Sequence, residues 1–149
     1  MASPAPRPRI THRRAERQQR ILDTAARLFA ARGLAAVRLA DIADEAKLAR
    51  ATFYTHFRSK EALVAAVVRP ALVDAIAAVK LLASRPPREA VDGLLSAFVM
   101  LWHHHGDALR VSHRTEGRLP KGIRPLHDKM MNVVLRVLER AARARLLRT

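Results

Sequence analysis

The sequence has no cysteine, one tryptophan and one tyrosine. Without cysteine, the chain can form neither a disulfide nor a zinc site with thiolate ligands, and it is compatible with a reducing compartment. Aromatic residues make up only 4% of the chain, whereas 50% of its residues are hydrophobic, mostly alanine and leucine. Because aromatic and β-branched side chains favour strands while alanine and leucine favour helices, this composition predicts an all-α protein.

Acidic residues are also scarce. The chain has 13 Asp and Glu residues and 28 Lys and Arg residues, which gives a formal net charge of +15. Arginine dominates the basic set, and its planar guanidinium suits phosphate geometry. A GC-rich genome that favours arginine codons would account for part of this excess. The charge balance still indicates a polyanionic partner, with nucleic acid as the first candidate.

The N-terminal segment lacks the features of a secretory signal. Residues 1–20 are rich in proline and arginine and contain no apolar core segment. We also expect no stretch long enough to span a bilayer. The chain is therefore predicted to be cytoplasmic, without a membrane partner.

The order of the segments predicts three regions. Residues 1–12 are expected to be a disordered basic arm, residues 13–58 a three-helix helix-turn-helix DNA-binding domain, and residues 59–149 a C-terminal helical domain for ligand binding and dimerisation. Apolar spacing and helix-ending residues predict helices over about 13–31, 39–46, 50–57, 59–82, 88–104, 107–113 and 124–147. Pro70 is expected to kink or split the fourth helix, and Gly106 to end the fifth.

The two short helices carry the functional prediction. They are joined by the three residues Lys47, Leu48 and Ala49. Phe53 and Phe57 lie four residues apart and are expected to face the core, which leaves the other side of the second short helix free. A free polar face on such a helix is suited to the major groove of DNA.

Each outward residue has a predicted role. Arg50 can donate two hydrogen bonds to a guanine, and Thr52 and Thr55 can offer hydroxyl or methyl groups to bases. Tyr54 and His56 are placed for phosphate oxygens. Lys60, at the positive start of the next helix, and Arg38, at the start of the first short helix, are further phosphate candidates.

Residues 14–69 resemble the DNA-binding region of the TetR (tetracycline-repressor) family of regulators. The matching elements are the Leu28-Phe29 pair with Gly33, the Ile42-Ala43 pair with Ala46, and the run Phe53, Tyr54, His56, Phe57, Ser59, Lys60, Glu61 and Leu63. The resemblance implies that Tyr54, His56 and Lys60 contact phosphates, and that Arg50, Ala51 and Thr55 face bases. It also implies a homodimer on a palindromic operator of double-stranded DNA, and a helical C-terminal domain that binds an unknown small-molecule ligand. The chain is expected to be short at its C-terminus for this family.

Three positions depart from the family pattern. Lys47 stands where a glycine is usual in the turn, so it must accept a left-handed backbone or shift the turn. Ala49 and Arg38 stand where a serine or threonine usually begins each short helix. Neither residue has a hydroxyl that could cap the first turn of its helix.

The C-terminal half gives weaker signals. Phe98, Trp102 and Met130 are candidates for lining a ligand cavity, with ordinary core packing as the alternative. His103, His104 and His105 are consecutive, so their side chains point about 100° apart on a helix and cannot converge on one ion. We therefore expect no metal site and no cofactor.

Three functions compete at this point. The first is a sequence-specific transcriptional regulator, expected to be a repressor that a small-molecule ligand releases. The second is a basic protein that binds nucleic acid without sequence preference. The third is a metal-dependent enzyme. The sequence contains no HExxH, GxSxG or phosphate-loop motif, so the chain is not expected to be an enzyme.

Overall fold

The computed structural model describes residues 8–115 and 119–146. Within these ranges the chain forms six helices and no strand, which confirms the all-α prediction. The helices are α1 (Pro8–Arg32), α2 (Leu39–Glu45), α3 (Arg50–His56), α4 (Lys60–Ala83), α5 (Pro87–His113) and α6 (Arg124–Arg143).

Helix α1 begins earlier than the sequence predicts. Residues 8–12, part of the expected disordered arm, are helical, and residues 1–7 of that arm lie outside the described residues. Proline suits the first position of a helix because its φ is already helical and its missing N–H needs no partner there. The arginine, glutamine and alanine residues that follow are good helix formers. At the other end, Gly33 has φ +84° and its N–H donates to the carbonyl of Phe29 at 2.9 Å, as expected for a glycine that ends a helix.

Pro70 does not split α4, so of the two outcomes predicted for it the split is wrong, whereas a kink stays a prediction. The helix continues from Lys60 to Ala83 with Pro70 inside it. A proline inside a helix costs about 3 kcal/mol because one hydrogen bond is lost and the ring crowds the preceding turn. Seven valine, leucine and isoleucine residues of α4 are buried, and each such side chain contributes about 1.5–3 kcal/mol, so packing outweighs that cost.

Helix α4 is also apolar enough to cross a membrane by length and composition, with a window of mean hydropathy 2.0. This corrects the expectation that no stretch reaches that length. Half of the window is buried inside the protein, and α4 packs against α1, α5 and α6. Its apolar composition is therefore accounted for by its central place in the core.

Helix α5 contains a break where the sequence predicts one. His105 has non-helical angles, φ −130° and ψ 26°, directly before Gly106. The segments on either side of His105 correspond to the two helices predicted over 88–104 and 107–113, and the label α5 covers both of them across the kink. At the kink, the His105 Nε2 atom lies 2.7 Å from the Asp74 Oδ2 atom on α4.

Helix α6 closes the core from the C-terminal side. Val133, Val137 and Ala141 are buried at a spacing of four residues. The helix ends at Arg143, before the predicted end at 147, and Arg145 takes a left-handed backbone with φ 56°. The Arg140 guanidinium donates to the carbonyl oxygens of Ala83 and Arg85, which ties α6 to the C-terminal end of α4.

One buried cluster runs through the helices of both predicted domains. It includes Ile21 and Phe29 of α1, Phe53 of α3, Leu63 of α4 and Val111 of α5. The division between residues 58 and 59 stays a prediction, although the core continues across it.

Candidate nucleic-acid interface

The turn between α2 and α3 has the geometry that the sequence required of it. Lys47 accepts the left-handed backbone, with φ 54°. The N–H of Leu48 donates to the carbonyl of Ala43 at 3.0 Å, and the N–H of Lys47 donates to that of Asp44 at 3.1 Å. These two bonds satisfy carbonyls at the end of α2, so the turn is closed by the backbone itself.

Helix α3 divides cleanly into an inner and an outer face. Phe53 is fully buried and Phe57 is 7% exposed, as predicted. Arg50, Ala51, Tyr54 and Thr55 are exposed, whereas Thr52 and His56 are half-buried. The exposed side of α3 therefore carries most of the residues predicted to face bases.

Two of the predicted base contacts already have neighbours within the chain. The Arg50 Nη2 atom lies 3.5 Å from the Asp44 Oδ2 atom, and both side chains are largely exposed. Exposed ion pairs of this kind contribute little, so a stronger partner can replace Asp44. The Thr55 hydroxyl donates to the Thr52 carbonyl at 2.6 Å, which leaves its methyl group and its oxygen lone pairs for other contacts.

Tyr54 is positioned by an aromatic contact. Its ring meets the ring of Phe53 edge-to-face, with ring centroids 5.6 Å apart and an interplanar angle of 86°. This arrangement holds the phenol at the surface, where 43% of the residue is exposed. The hydroxyl is thus presented outward by a ring that is packed on the core.

His56 lies at the C-terminal end of α3. Its pKa is lowered, chiefly by burial and further by the positive charges of Arg14 and Arg17. The neutral imidazole is therefore favoured near pH 7, and it can serve as a hydrogen-bond donor to a phosphate oxygen rather than as a cation.

Lys60 has a structural contact that sequence reasoning missed. Its Nζ atom donates to the carbonyl of Leu34 at 2.9 Å, in a half-buried position. This bond ties the first turn of α4 to the segment after α1. Two N–H groups of the ammonium remain, so its predicted contact with phosphate stays a prediction.

Arg38 begins α2 as its N-cap residue but makes no side-chain cap of its own. Instead, the Asp41 carboxylate accepts from the Arg38 backbone N–H at 2.9 Å and from its Nη2 atom at 2.9 Å. The Arg38 guanidinium lowers the pKa of Asp41. Because the Arg38 side chain is 81% exposed, it remains accessible to a phosphate that would compete with Asp41.

The three predicted cavity residues do not share one cavity. Phe98 and Met130 line a cavity of about 490 Å³ between α4, α5 and α6, together with Leu72, Leu101 and His127. Trp102 instead borders a cleft of about 720 Å³ between α1, α4 and the kink of α5. Its ring centroid lies 6.0 Å from that of Phe98 and 5.6 Å from the Arg110 guanidinium. Phe98 and Trp102 do share a smaller pocket of about 300 Å³, so Trp102 is separated from the cavity that Met130 lines but not from Phe98 itself.

No group of three or more His, Asp or Glu side chains that could hold a metal ion occurs among the described residues.

Residues 21–67 match the family model described as "Bacterial regulatory proteins, tetR family". The chain is 33% identical over 110 residues to the uncharacterized HTH-type transcriptional regulator YerO of Bacillus subtilis, a match that covers 71% of this chain and 38% of YerO. It is 34% identical over 96 residues to the HTH-type transcriptional repressor KstR2 of Mycobacterium tuberculosis, covering 62% of this chain and 48% of KstR2. The chain thus spans less than half the length of these curated relatives.

The fold has solved counterparts as well. The TetR family transcriptional regulator PfmR from Thermus thermophilus superimposes with a TM-score of 0.74 at 25% identity, over 87% of this chain and 73% of PfmR. The segment that matches the family model contains α2, α3 and the turn between them. Residues 21–67, which include the helix-turn-helix, therefore belong to the tetR family of bacterial regulatory proteins, and the whole chain is similar in fold to a member of that family.

Proposed function

We propose that this chain is a sequence-specific DNA-binding transcriptional regulator, and that it acts as a repressor released by a small-molecule ligand. The observation that carries the proposal is the two-sided helix α3. Phe53 and Phe57 anchor it in the core, while Arg50, Ala51, Tyr54 and Thr55 are left exposed. The names of its relatives, which are transcriptional regulators rather than enzymes, support this proposal.

In the proposed complex, α3 enters the major groove. Arg50, Ala51, Thr52 and Thr55 face the bases, with Arg50 as the main source of sequence preference. Arg38, Tyr54, His56 and Lys60 contact phosphates and set the orientation of the helix. Thr52 is half-buried, so we expect it to contribute less than Arg50.

We further propose a homodimer on a palindromic operator. One α3 reads only a few base pairs, and two copies related by a two-fold axis would read half-sites about 34 Å apart. Exposed apolar residues of α5 and α6, among them Leu95, Val99 and Leu135, offer a surface that a second copy would cover.

The proposed ligand site is the cavity lined by Phe98 and Met130. Helix α4 contributes Leu72 to this cavity. About three turns nearer its N-terminus, the Lys60 ammonium of the same helix donates to the Leu34 carbonyl. A ligand that displaces α4 would therefore shift the helix-turn-helix as well. Release from DNA then follows if the ligand binds better to the arrangement in which the two copies of α3 no longer match the half-sites.

Selection of bound duplexes from a random pool, followed by sequencing, tests the proposal. A palindromic consensus is expected. A single asymmetric half-site would contradict the dimer, and an enriched pool without any consensus would favour the alternative of non-specific binding, which the net charge of +15 allows.

Two variants test the assigned roles on the selected duplex. Arg50→Ala is expected to relax the preference at one base pair, at a cost of about 1–3 kcal/mol for the favoured base. Tyr54→Phe is expected to weaken binding to all sequences equally, because it removes a phosphate contact only. If Tyr54→Phe changed the consensus instead, its assignment to phosphate would be wrong.

A further inference from the structure

We propose that the first turns of α1, residues 12–20, form a second DNA-backbone contact beside the recognition helix, with Arg14 and Arg17 as its main phosphate ligands. We call this segment the α1 extension. The inference rests on the proposed function, because it names a further part of the same DNA interface.

The α1 extension projects beyond the core. Every residue from His12 to Arg20 is exposed, and Ile21 is the first fully buried residue of the helix. Nine residues correspond to about 2.5 helical turns. Each side chain of this segment is therefore accessible to a partner.

The charge of the α1 extension is almost all of one sign. It contains Arg13, Arg14, Arg17 and Arg20, and its one acidic residue is Glu16. The Glu16 Oε1 atom lies 3.0 Å from the His12 Nδ1 atom, in a pair that is largely exposed. Across the described ranges 8–115 and 119–146, none of the four arginines forms an ion pair.

The register of α1 directs two of these arginines toward α3. Arg17 and Arg14 precede the buried Ile21 by four and seven residues, so they lie on the side of the helix that packs on the core further along. The same two arginines lower the pKa of His56 at the end of α3, which is consistent with their charges lying near it.

Two unpaired guanidinium groups next to a recognition helix match the chemistry of a DNA backbone. Arginine binds phosphate with two parallel hydrogen bonds, and the helix that carries it presents successive charges about one turn apart. A duplex lying against α3 would continue past its C-terminal end toward Arg14 and Arg17. The alternative is that the arginines are only a solvated face.

The salt dependence of binding separates these alternatives. The double variant Arg14→Gln/Arg17→Gln is compared with the unaltered chain on a random-sequence duplex of about 30 base pairs, a length that exceeds one helix-turn-helix site. Loss of two phosphate contacts is expected to reduce the slope of log K against log salt by about 1.8. The matched control Lys129→Gln/Arg136→Gln removes the same charge from exposed positions on α6 and should leave the slope unchanged. An unchanged slope in the first variant, with an unchanged circular dichroism spectrum, would overturn the inference.

A cleavage probe tests where the α1 extension lies on the duplex. The chain has no cysteine of its own, so a single introduced cysteine can be labelled specifically. An iron chelate that generates hydroxyl radicals is attached to Arg13→Cys, Ala51→Cys or Arg136→Cys. We expect cleavage from Ala51→Cys in the centre of the bound site, cleavage from Arg13→Cys at its flank, and none from Arg136→Cys. If Ala51→Cys cleaves and Arg13→Cys does not, only this inference fails. If the unaltered chain binds no duplex, the proposed function fails with it.

Discussion

Lys47 has a left-handed backbone, which costs a residue with a Cβ atom about 1–2 kcal/mol. The turn needs this conformation because it allows the N–H of Leu48 to return to the carbonyl of Ala43. A lysine at this position therefore retains strain that glycine would remove.

Lys47→Gly is expected to raise the free energy of unfolding by about 0.5–1 kcal/mol. The relief of strain is partly offset by the greater freedom of glycine in the unfolded chain. Urea unfolding measures the change. Lys47→Ala is the control, because it removes the charge but keeps the Cβ atom; an equal gain in both variants would show that charge, not backbone strain, is responsible.

His56 links the stability of the protein to pH. Its pKa is lowered in the folded chain, so the unfolded chain binds the proton more readily. The stabilising contribution is complete above the ordinary histidine pKa of about 6.5 and is lost as the pH falls through the lowered value. Between pH of about 7.5 and about 5, the unaltered protein should therefore lose more stability than His56→Gln. Parallel stability curves for the two proteins would contradict this account.

At the scale of elements, α3 is a seven-residue helix with no side-chain cap at its N-terminus. Ala49 occupies the cap position with φ −58° and ψ 136°, an extended backbone that a serine can also adopt. By contrast, Ser59 caps α4 by accepting from the Ala62 N–H at 3.1 Å. The recognition helix thus lacks a stabilising contact that its neighbour has.

Ala49→Ser is expected to raise the free energy of unfolding by about 1 kcal/mol, since its hydroxyl can accept from a free N–H in the first turn of α3. Denaturant unfolding measures the gain. Ala51→Ser places the same hydroxyl inside the exposed face of the helix, where serine is a poorer helix former than alanine, so it should give no gain. A larger gain from Ala51→Ser than from Ala49→Ser would rule out capping as the cause.

At the scale of the whole molecule, the buried cluster joins the helix-turn-helix to the helices that follow it. Phe29 and Phe53 belong to the same cluster as Leu63, Val111 and Ile123. Because these residues exclude water together, neither part can lose its packing without exposing the other.

Thermal unfolding should therefore occur in a single transition. Trp102, the only tryptophan, reports through fluorescence on α5, whereas far-ultraviolet circular dichroism reports on all helices. The two signals are expected to share one midpoint. A tryptophan transition clearly separated from the loss of helix would indicate two independently stable domains.

The local pattern of the sequence determined the helices and the two faces of α3. Apolar spacing predicted that Phe53 and Phe57 are buried, and glycine chemistry predicted the end of α1 at Gly33. These properties depend on residues a few positions apart, so they can be deduced from the chain alone. The roles assigned to Arg50 and Tyr54 come from the same reasoning and remain predictions.

Only the tertiary structure decided which distant residues meet. The bond from Lys60 to Leu34, the cavity that Phe98 and Met130 line together, and the lowering of the His56 pKa by Arg14 and Arg17 all depend on residues from different parts of the chain. Helical periodicity indicates which side of a helix is apolar, but it does not indicate which neighbour covers that side. That choice depends on how the helices pack around one shared core, and it therefore places the charges and cavities on which the proposed function depends.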